Sequence, residues 1–235
     1  MNEQRENGKI GGLAESLVIA FSMYSRIPMP MVAWTEKGMK YALCFFPAVG
    51  IAVGAAVAAF WQLSRLLGLG DLSRLCVETA LPLLITGGIH MDGFLDTVDA
   101  RSSHQSRERK LEILKDPHAG AFAIAGCGVY LLFYAAAFSE LSPEAFPGIA
   151  GVFVMSRALS GYSVVTFPKA KKDGLVTAFA KGASQAPAAV SGILLCWLVG
   201  GFFWILLTGG LVMALAAGAG AAAAFLWYRR MALWE

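Results

Sequence analysis

Residues 41–64 read YALCFFPAVGIAVGAAVAAFWQLS, an uncharged apolar stretch bounded by Lys40 and Arg65. A helix needs about 20 mostly apolar residues to cross a bilayer, so this stretch predicts a transmembrane helix. The rest of the chain has the same character. Of its 235 residues, 57 % are hydrophobic and 15 % are charged, and the mean hydropathy is +0.61, whereas soluble domains carry ~25 % charged residues. The composition excludes an ordinary soluble globule.

Five further spans are predicted, at about 75–91, 119–138 and 145–167, and as two helices within the uncharged run 182–228, with a turn near Thr208-Gly209-Gly210. We therefore predict an all-α polytopic integral membrane protein with about six transmembrane helices in one domain, residues 1–235. The apolar segment 13–24 is too short to cross and is followed by Pro28 and Pro30, so we expect a short interfacial or re-entrant helix there.

Charge placement predicts the orientation. If the charged segment 92–118 is cytoplasmic, only Arg65 and Arg74 of the loop cations lie outside, beside the acidic segment 140–144. This asymmetry is what the positive-inside rule expects. The net charge of only +3 gives no sign of a nucleic-acid partner, whereas membrane lipid is an expected one. The inner cations are Lys37, Lys40, Arg101, Arg107, Arg109, Lys110, Lys115, Lys169, Lys171, Lys172, Lys181, Arg229 and Arg230.

The sequence GGIHMDGFLDTVDA at 87–100 places Asp92, Asp96 and Asp99 at i, i+4 and i+7. A helix sets these carboxylates along one face, where they repel one another unless a cation binds. Hard oxygen ligands without cysteine favour Mg²⁺ or Mn²⁺, and Mg²⁺ is usually held by one or two carboxylates together with substrate phosphates. The alternative is a solvated acidic face at a helix end.

The segment 106–122, SRERKLEILKDPHAGAF, has helical spacing that Asp116-Pro117 should interrupt. Across a short connection from the aspartate helix, Asp116 is a candidate fourth metal ligand. Arg109 and Lys115 are candidates for holding phosphate oxygens. The alternative is that the charges of this segment form ordinary surface pairs.

Arg157 lies in the middle of a predicted span. A charge at that depth is costly unless it faces a polar cavity or an acidic partner, so it is a functional candidate. The structural alternative is an ion pair with Glu78 or Glu15. His90, just before the first aspartate, is either a general base or a capping side chain.

Taken together, 87–100 and the 107–122 segment, with SMYSRIPMP near the start, SRALSG around Arg157 and the FPKAKKDGL loop, resemble the cobalamin synthase (adenosylcobinamide-GDP ribazoletransferase) family in order along nearly the whole chain. Members of that family usually continue past the last helix with a G-G-x-T-G-D element, whereas this sequence stops at WYRRMALWE.

The resemblance implies a multi-pass enzyme of the bacterial or archaeal inner membrane. It would use Mg²⁺ to join adenosylcobinamide-GDP to α-ribazole or its 5′-phosphate, releasing GMP. The implied roles are metal ligands for Asp92, Asp96, Asp99 and Asp116, phosphate or transition-state contacts for Arg109, Lys115 and Arg157, and a base for His90.

Other intramembrane transferases that place aspartates over Mg²⁺ and a diphosphate, of the CDP-alcohol phosphotransferase or prenyltransferase type, are the alternative enzyme classes. Their patterns fit less well. The phosphotransferase pattern has alanine where this chain has Asp96, and the prenyltransferase pattern has two separate aspartate-rich loops where this chain has one. A divalent-cation transporter is a further alternative. It would need carboxylates inside several spans, and here only Glu78 and Glu15 qualify. A homo-oligomer, or contacts with other corrinoid-assembly enzymes, is left open by the sequence.

Overall fold

A computed structural model describes residues 12–169 and 174–232, with side chains to residue 230. Lys171 and Lys172, expected on the cytoplasmic side, lie outside the described residues. The described chain is helical and has no strand. Its ten α-helices are α1 (Gly12–Tyr24), α2 (Glu36–Ala42), α3 (Phe46–Leu66), α4 (Asp71–Thr86), α5 (Ile89–Ser102), α6 (Arg107–Ile113), α7 (Ala121–Ser139), α8 (Ile149–Thr166), α9 (Leu175–Ala183) and α10 (Pro187–Ala232).

The central helix is α8, which packs most extensively against α3 and α10. Glycines on α3 permit the close approach. A Cβ at Gly50 would be 2.6 Å from the Phe153 carbonyl oxygen, and one at Gly54 would be 2.5 Å from the Ala150 Cα. Small residues let helix backbones come together inside a membrane, where dispersion contacts must replace the hydrophobic effect.

Helix α10 is interrupted at Gly210, whose φ of 79° and ψ of 175° are not helical. Phe202, before the break, contacts Gly218, after it, so the arms 187–209 and 211–230 run back alongside each other. Both arms pack on α8: Gly201 lies against Met155 in the first, and Phe225 against the ring of Tyr162 in the second. The turn predicted near Thr208-Gly209-Gly210 is thereby confirmed.

By length and composition, four described helical segments can cross a membrane: Glu36–Leu66, Ala121–Ser139, Phe146–Thr166 and Pro187–Arg230. The bent pair α4 and α5 makes a fifth if it is one span. Each arm of α10 is also long enough to cross a membrane, which requires ~20 residues. The all-α polytopic membrane architecture is therefore confirmed.

Helices α1, α2 and α9 form a layer at one end of the bundle, around the buried side chains of Ile19, Leu43, Phe179 and Leu194. The Ser16 hydroxyl of α1 donates to the α2 carbonyl of Gly38 at 2.7 Å. The predicted N-terminal helix is present and ends before the prolines; its placement at a membrane interface stays a prediction.

The two ends of the bundle differ in the charges they bring together. At one end, Arg101 lies 4.1 Å from the ring of Trp227. At the other, hydrogen bonds from its own backbone N–H and from Ser142 lower the pKa of Glu144, and Arg65 contributes more weakly in the same direction. Arg101 is one of the cations predicted to lie inside and Arg65 one of those predicted to lie outside; which side faces the cytoplasm stays a prediction.

Candidate functional site

A sharp elbow joins α4 to α5. Gly87 and Gly88 have φ values of 67° and 76°, in the left-handed region that glycine adopts without steric cost. Helix α4 therefore ends at Thr86, and α5 leaves at 96° to it. The sequence predicted a span continuing to Met91, and that end was wrong because two successive left-handed residues cannot continue a right-handed helix.

The end of α1 is packed against this elbow. The Arg26 backbone N–H donates to the Ile85 carbonyl at 2.7 Å, and the Arg26 side chain lies so close to Gly87 that a Cβ there would be 2.8 Å from its Nε. The ring of Tyr24 stacks on Phe46 and His90, with centroids 4.1 and 5.8 Å away. These contacts fix the first turn of α5 relative to the bundle.

Beside the elbow lies a cavity of about 600 Å³, within the usual range for small-molecule sites. Helices α3, α4, α5, α7, α8 and the second arm of α10 all contribute to its wall. The wall is mostly apolar and aromatic. It contains hydroxyl groups and two of the predicted site residues, His90 and Arg157, and none of its described lining residues is a carboxylate, a carboxamide or a lysine.

Arg157 is the buried cation of this cavity, with 8 % of its surface exposed. Its guanidinium carbon lies 5.2 Å from the ring of Phe153 and its Nη1 is 3.5 Å from the Ser156 hydroxyl, while Nε has no hydrogen-bond partner. Among the described residues, no carboxylate forms an ion pair with it. A buried charge left uncompensated in this way is costly, and a ligand anion would relieve the cost.

The structural alternative for Arg157, an ion pair with Glu78 or Glu15, is not formed among the described residues. The buried Glu78 lies 3.8 Å from the Arg74 Nε. Glu15 accepts a hydrogen bond of 2.5 Å from the Thr35 hydroxyl. Arg157 therefore lines the cavity without an ion pair to another span in the described part of the chain.

The three aspartates are on α5 as predicted, but they do not line the cavity. The cavity face of α5 carries His90, Met91, Gly93, Phe94 and Thr97. At 3.6 residues per turn, Asp92 lies roughly 160° around the helix from His90. The first turn of α5 thus has a cavity side and an acidic side.

Asp99 binds the N-terminus of α7. Its two carboxylate oxygens accept the backbone N–H groups of Gly120 at 2.5 Å and of Ala123 at 2.8 Å. These are two of the donors that a helix N-terminus leaves unpaired, and the negative charge is favourable there. The structure thus gives Asp99 a role in joining α5 to α7.

Asp92 is exposed and Asp96 is partly buried, one helical turn apart. Among the described residues, no group of three or more His, Cys, Asp or Glu is arranged to hold a metal ion. Two neighbouring carboxylates fit the usual way of binding Mg²⁺, in which substrate phosphates and water complete the shell. A preformed four-aspartate site is not seen in the described chain.

The predicted residues of the α6 segment are exposed. Arg109 forms a 2.6 Å ion pair with Glu112, of the kind that contributes little to stability. Lys115 and Asp116 follow the end of α6. The backbone N–H and then the ring of His118 hydrogen-bond Asp116 and lower the pKa of its carboxyl. The structure does not gather Asp116 with the α5 aspartates into a metal cluster.

Sequence reasoning missed the aromatic wall of the cavity and the cation at its elbow. Tyr130 and Tyr134 on α7 and Trp227 on α10 line the cavity, but in an apolar chain they look like lipid-facing or core residues. Arg26 lies within the SMYSRIPMP motif, and only the structure brings it beside Gly87. Its place in SMYSRIPMP, one of the stretches that carry the resemblance, was an available signal.

The chain resembles known proteins over most of its length. A family model described as cobalamin-5-phosphate synthase matches residues 16–234. An adenosylcobinamide-GDP ribazoletransferase of Lachnoclostridium phytofermentans is 51 % identical over 179 residues, which are 76 % of this chain and 69 % of the relative. Relatives of the same name are 33 % identical in Clostridium botulinum (72 % of this chain, 68 % of the relative) and 31 % identical in Treponema denticola (78 % and 70 %). No solved structure matches the chain.

Proposed function

The chain belongs to the cobalamin-5-phosphate synthase family, and from this membership and the geometry of the elbow we propose how it carries out the ribazoletransferase reaction. It is a membrane transferase that joins adenosylcobinamide-GDP to a ribazole acceptor and releases GMP. The acceptor is α-ribazole or its 5′-phosphate. The observation that carries the location of the reaction is the first turn of α5, which has His90 on its cavity side and Asp92 on its acidic side.

The chemistry is a displacement at phosphorus. A ribose hydroxyl oxygen of the acceptor forms a bond to the corrinoid-side phosphorus of the diphosphate. The bond from that phosphorus to the bridging oxygen breaks, and GMP leaves with that oxygen. The hydroxyl proton passes to a base. Such reactions depend on positioning and on neutralising the diphosphate charge.

The described residues offer groups for each of these tasks. The free N–H groups of the α5 N-terminus and Arg26 at the elbow would bind phosphate oxygens. His90 borders the cavity and is our candidate base. Asp92 and Asp96 would hold Mg²⁺, which when bound would neutralise charge on the diphosphate. Arg109 and Lys115 are exposed and would attract the anionic donor to this side of the protein.

The positive-inside asymmetry supports a cytoplasmic position for the elbow and the 92–118 segment, in the inner membrane of the cell. A nucleotide-linked corrinoid is too bulky and polar to approach from within the bilayer. An active face on the aqueous side therefore suits the donor.

The test is GMP release from adenosylcobinamide-GDP by membranes containing the chain, with α-ribazole 5′-phosphate and Mg²⁺ present or withheld. Release should require both. Asp92→Asn and Asp96→Asn should lower turnover at least 100-fold while the protein stays in the membrane, because each removes a carboxylate charge next to the diphosphate.

Asp71→Asn is the matched control, because Asp71 is exposed at the other end of α4 and should be neutral. Near-normal GMP release by both α5 variants would refute the metal role. Metal flux without any GMP release in proteoliposomes would instead favour a transporter.

A further inference from the structure

The cavity beside the elbow has a buried cation and an aromatic wall, and the proposed roles of Asp92 and Asp96 involve neither of them. Its described lining includes the buried guanidinium of Arg157, whose Nε has no hydrogen-bond partner. Around it are the rings of Phe153, Tyr134 and Tyr130 and the hydroxyls of serine and threonine residues. A ligand that fits this wall has a flat apolar ring system and one anionic group.

We propose that this cavity is the acceptor subsite, where the benzimidazole ring of ribazole packs among the aromatic side chains and Arg157 binds the 5′-phosphate. The inference rests on the proposed function and deepens it, since it makes Arg157 the residue that selects the phosphorylated acceptor over the free nucleoside.

The wall favours the acceptor over the donor. Dimethylbenzimidazole has no exocyclic hydrogen-bonding group, so an apolar aromatic wall satisfies it. Guanine presents several donors and acceptors, which a buried site must pair or leave at a cost. The cavity has no carboxylate or carboxamide among its described lining residues to pair with them. The donor's corrin ring would not fit in about 600 Å³ together with its nucleotide.

The cavity also lies on the correct side of α5 for an acceptor. His90 is in its wall, so an acceptor hydroxyl at the cavity's α5 face would meet the candidate base. The donor's diphosphate would then approach from the acidic side of the same helical turn. Helix α5 would separate the two substrates everywhere except at its N-terminal end.

The first experiment compares kcat/KM for α-ribazole 5′-phosphate and for α-ribazole, using the full chain in proteoliposomes. We expect the wild type to favour the phosphorylated acceptor by about 10- to 100-fold, which is the range for a hydrogen-bonded ion pair. Arg157→Gln should bring that ratio close to one, and Arg157→Lys should give an intermediate ratio. A role in folding or in general catalysis would lower both values together, and an unchanged ratio would overturn the proposal.

A second pair of variants tests the cavity itself. Ala224 lines it, whereas its neighbour Ala223 is exposed and does not. Ala224→Phe should raise the KM for the acceptor at least tenfold and leave the KM for adenosylcobinamide-GDP nearly unchanged, and Ala223→Phe should change neither. A rise confined to the donor's KM would mean that the cavity holds the guanosine half.

Binding of the acceptor tests the proposed subsite even where the protein shows no turnover. Labelled α-ribazole 5′-phosphate should bind the wild type without donor, GMP should not displace it, and Arg157→Gln should weaken it about 10- to 100-fold. Absence of GMP release with binding intact would count against the proposed function and for the subsite. Displacement of the labelled acceptor by GMP would overturn the subsite. So would a phospholipid that co-purifies with the wild type, is absent from Arg157→Gln and blocks binding of the labelled acceptor.

Discussion

Replacing Asp99 should damage the stability of the fold, and not the chemistry alone. Its carboxylate accepts two backbone N–H groups at the start of α7, at 2.5 and 2.8 Å. Hydrogen bonds to a charged group are worth roughly 1.5–3 kcal/mol each, and the helix dipole adds up to ~1 kcal/mol. Since part of this is recovered by water, we expect Asp99→Ala to lower the free energy of unfolding by about 2–4 kcal/mol.

For a chain of this size, that loss corresponds to a fall in Tm of roughly 4–16 °C. The measurement is thermal unfolding in one detergent at one scan rate, read beside GMP release. Asp92→Asn, at an exposed position on the same helix, is the matched control and should leave Tm within about 1 °C of the wild type. An Asp99→Ala protein with wild-type Tm and no turnover would refute the capping argument and restore Asp99 as a metal ligand.

Three further expectations follow from the packing and the elbow. Gly54→Leu should lower Tm, because the new Cβ would meet the Ala150 backbone and overpacking costs about 1–3 kcal/mol or more of unfolding free energy. Ala55 is exposed next to it, so Ala55→Leu should leave Tm unchanged. Equal Tm values for the two variants would contradict this packing. Arg26→Ala should lower turnover about 10- to 100-fold, and Arg26→Lys should recover part of it. If Arg26→Ala changed Tm but kept full turnover, the role of Arg26 would be limited to packing. Mg²⁺ alone should barely raise Tm, but Mg²⁺ with adenosylcobinamide-GDP should raise it by several degrees. If Mg²⁺ alone raised Tm in a saturable way, the metal site would be preformed and would have more protein ligands than Asp92 and Asp96.

The spans were predictable because crossing a bilayer imposes a length and a polarity that any sequence must obey. The run 182–228 even carried its own turn, since Thr208-Gly209-Gly210 is where a long apolar helix can reverse. The elbow was predicted less well. The predicted span continued through Gly87-Gly88 to Met91, and nothing in the local sequence fixes a bend of 96°, which depends on how Arg26 and Tyr24 pack against it.

The predicted charged site was correct in its helix and incomplete in its partners. Spacing of i, i+4 and i+7 places Asp92, Asp96 and Asp99 on one stripe, and it gives no information on what lies opposite each one. Asp99 meets amides 21 and 24 residues further along the chain, and such a contact exists only after α5 and α7 have packed. Sequence spacing alone therefore does not distinguish a metal ligand from a carboxylate that faces a helix N-terminus.

Arg157 shows the opposite case, in which the sequence identifies a residue more readily than its surroundings. A lone arginine in an apolar span is conspicuous because its burial is costly. The tyrosines and phenylalanine around it are not, because aromatic residues in a span cost nothing. The aromatic residues that line a cavity for an apolar ring therefore do not stand out in a hydrophobic sequence. Of the lining residues named here, Arg157 is the one that the sequence alone makes conspicuous. The variant pair Ala224→Phe and Ala223→Phe bears on this point most directly, since neither residue stands out in the sequence and only the fold makes them differ.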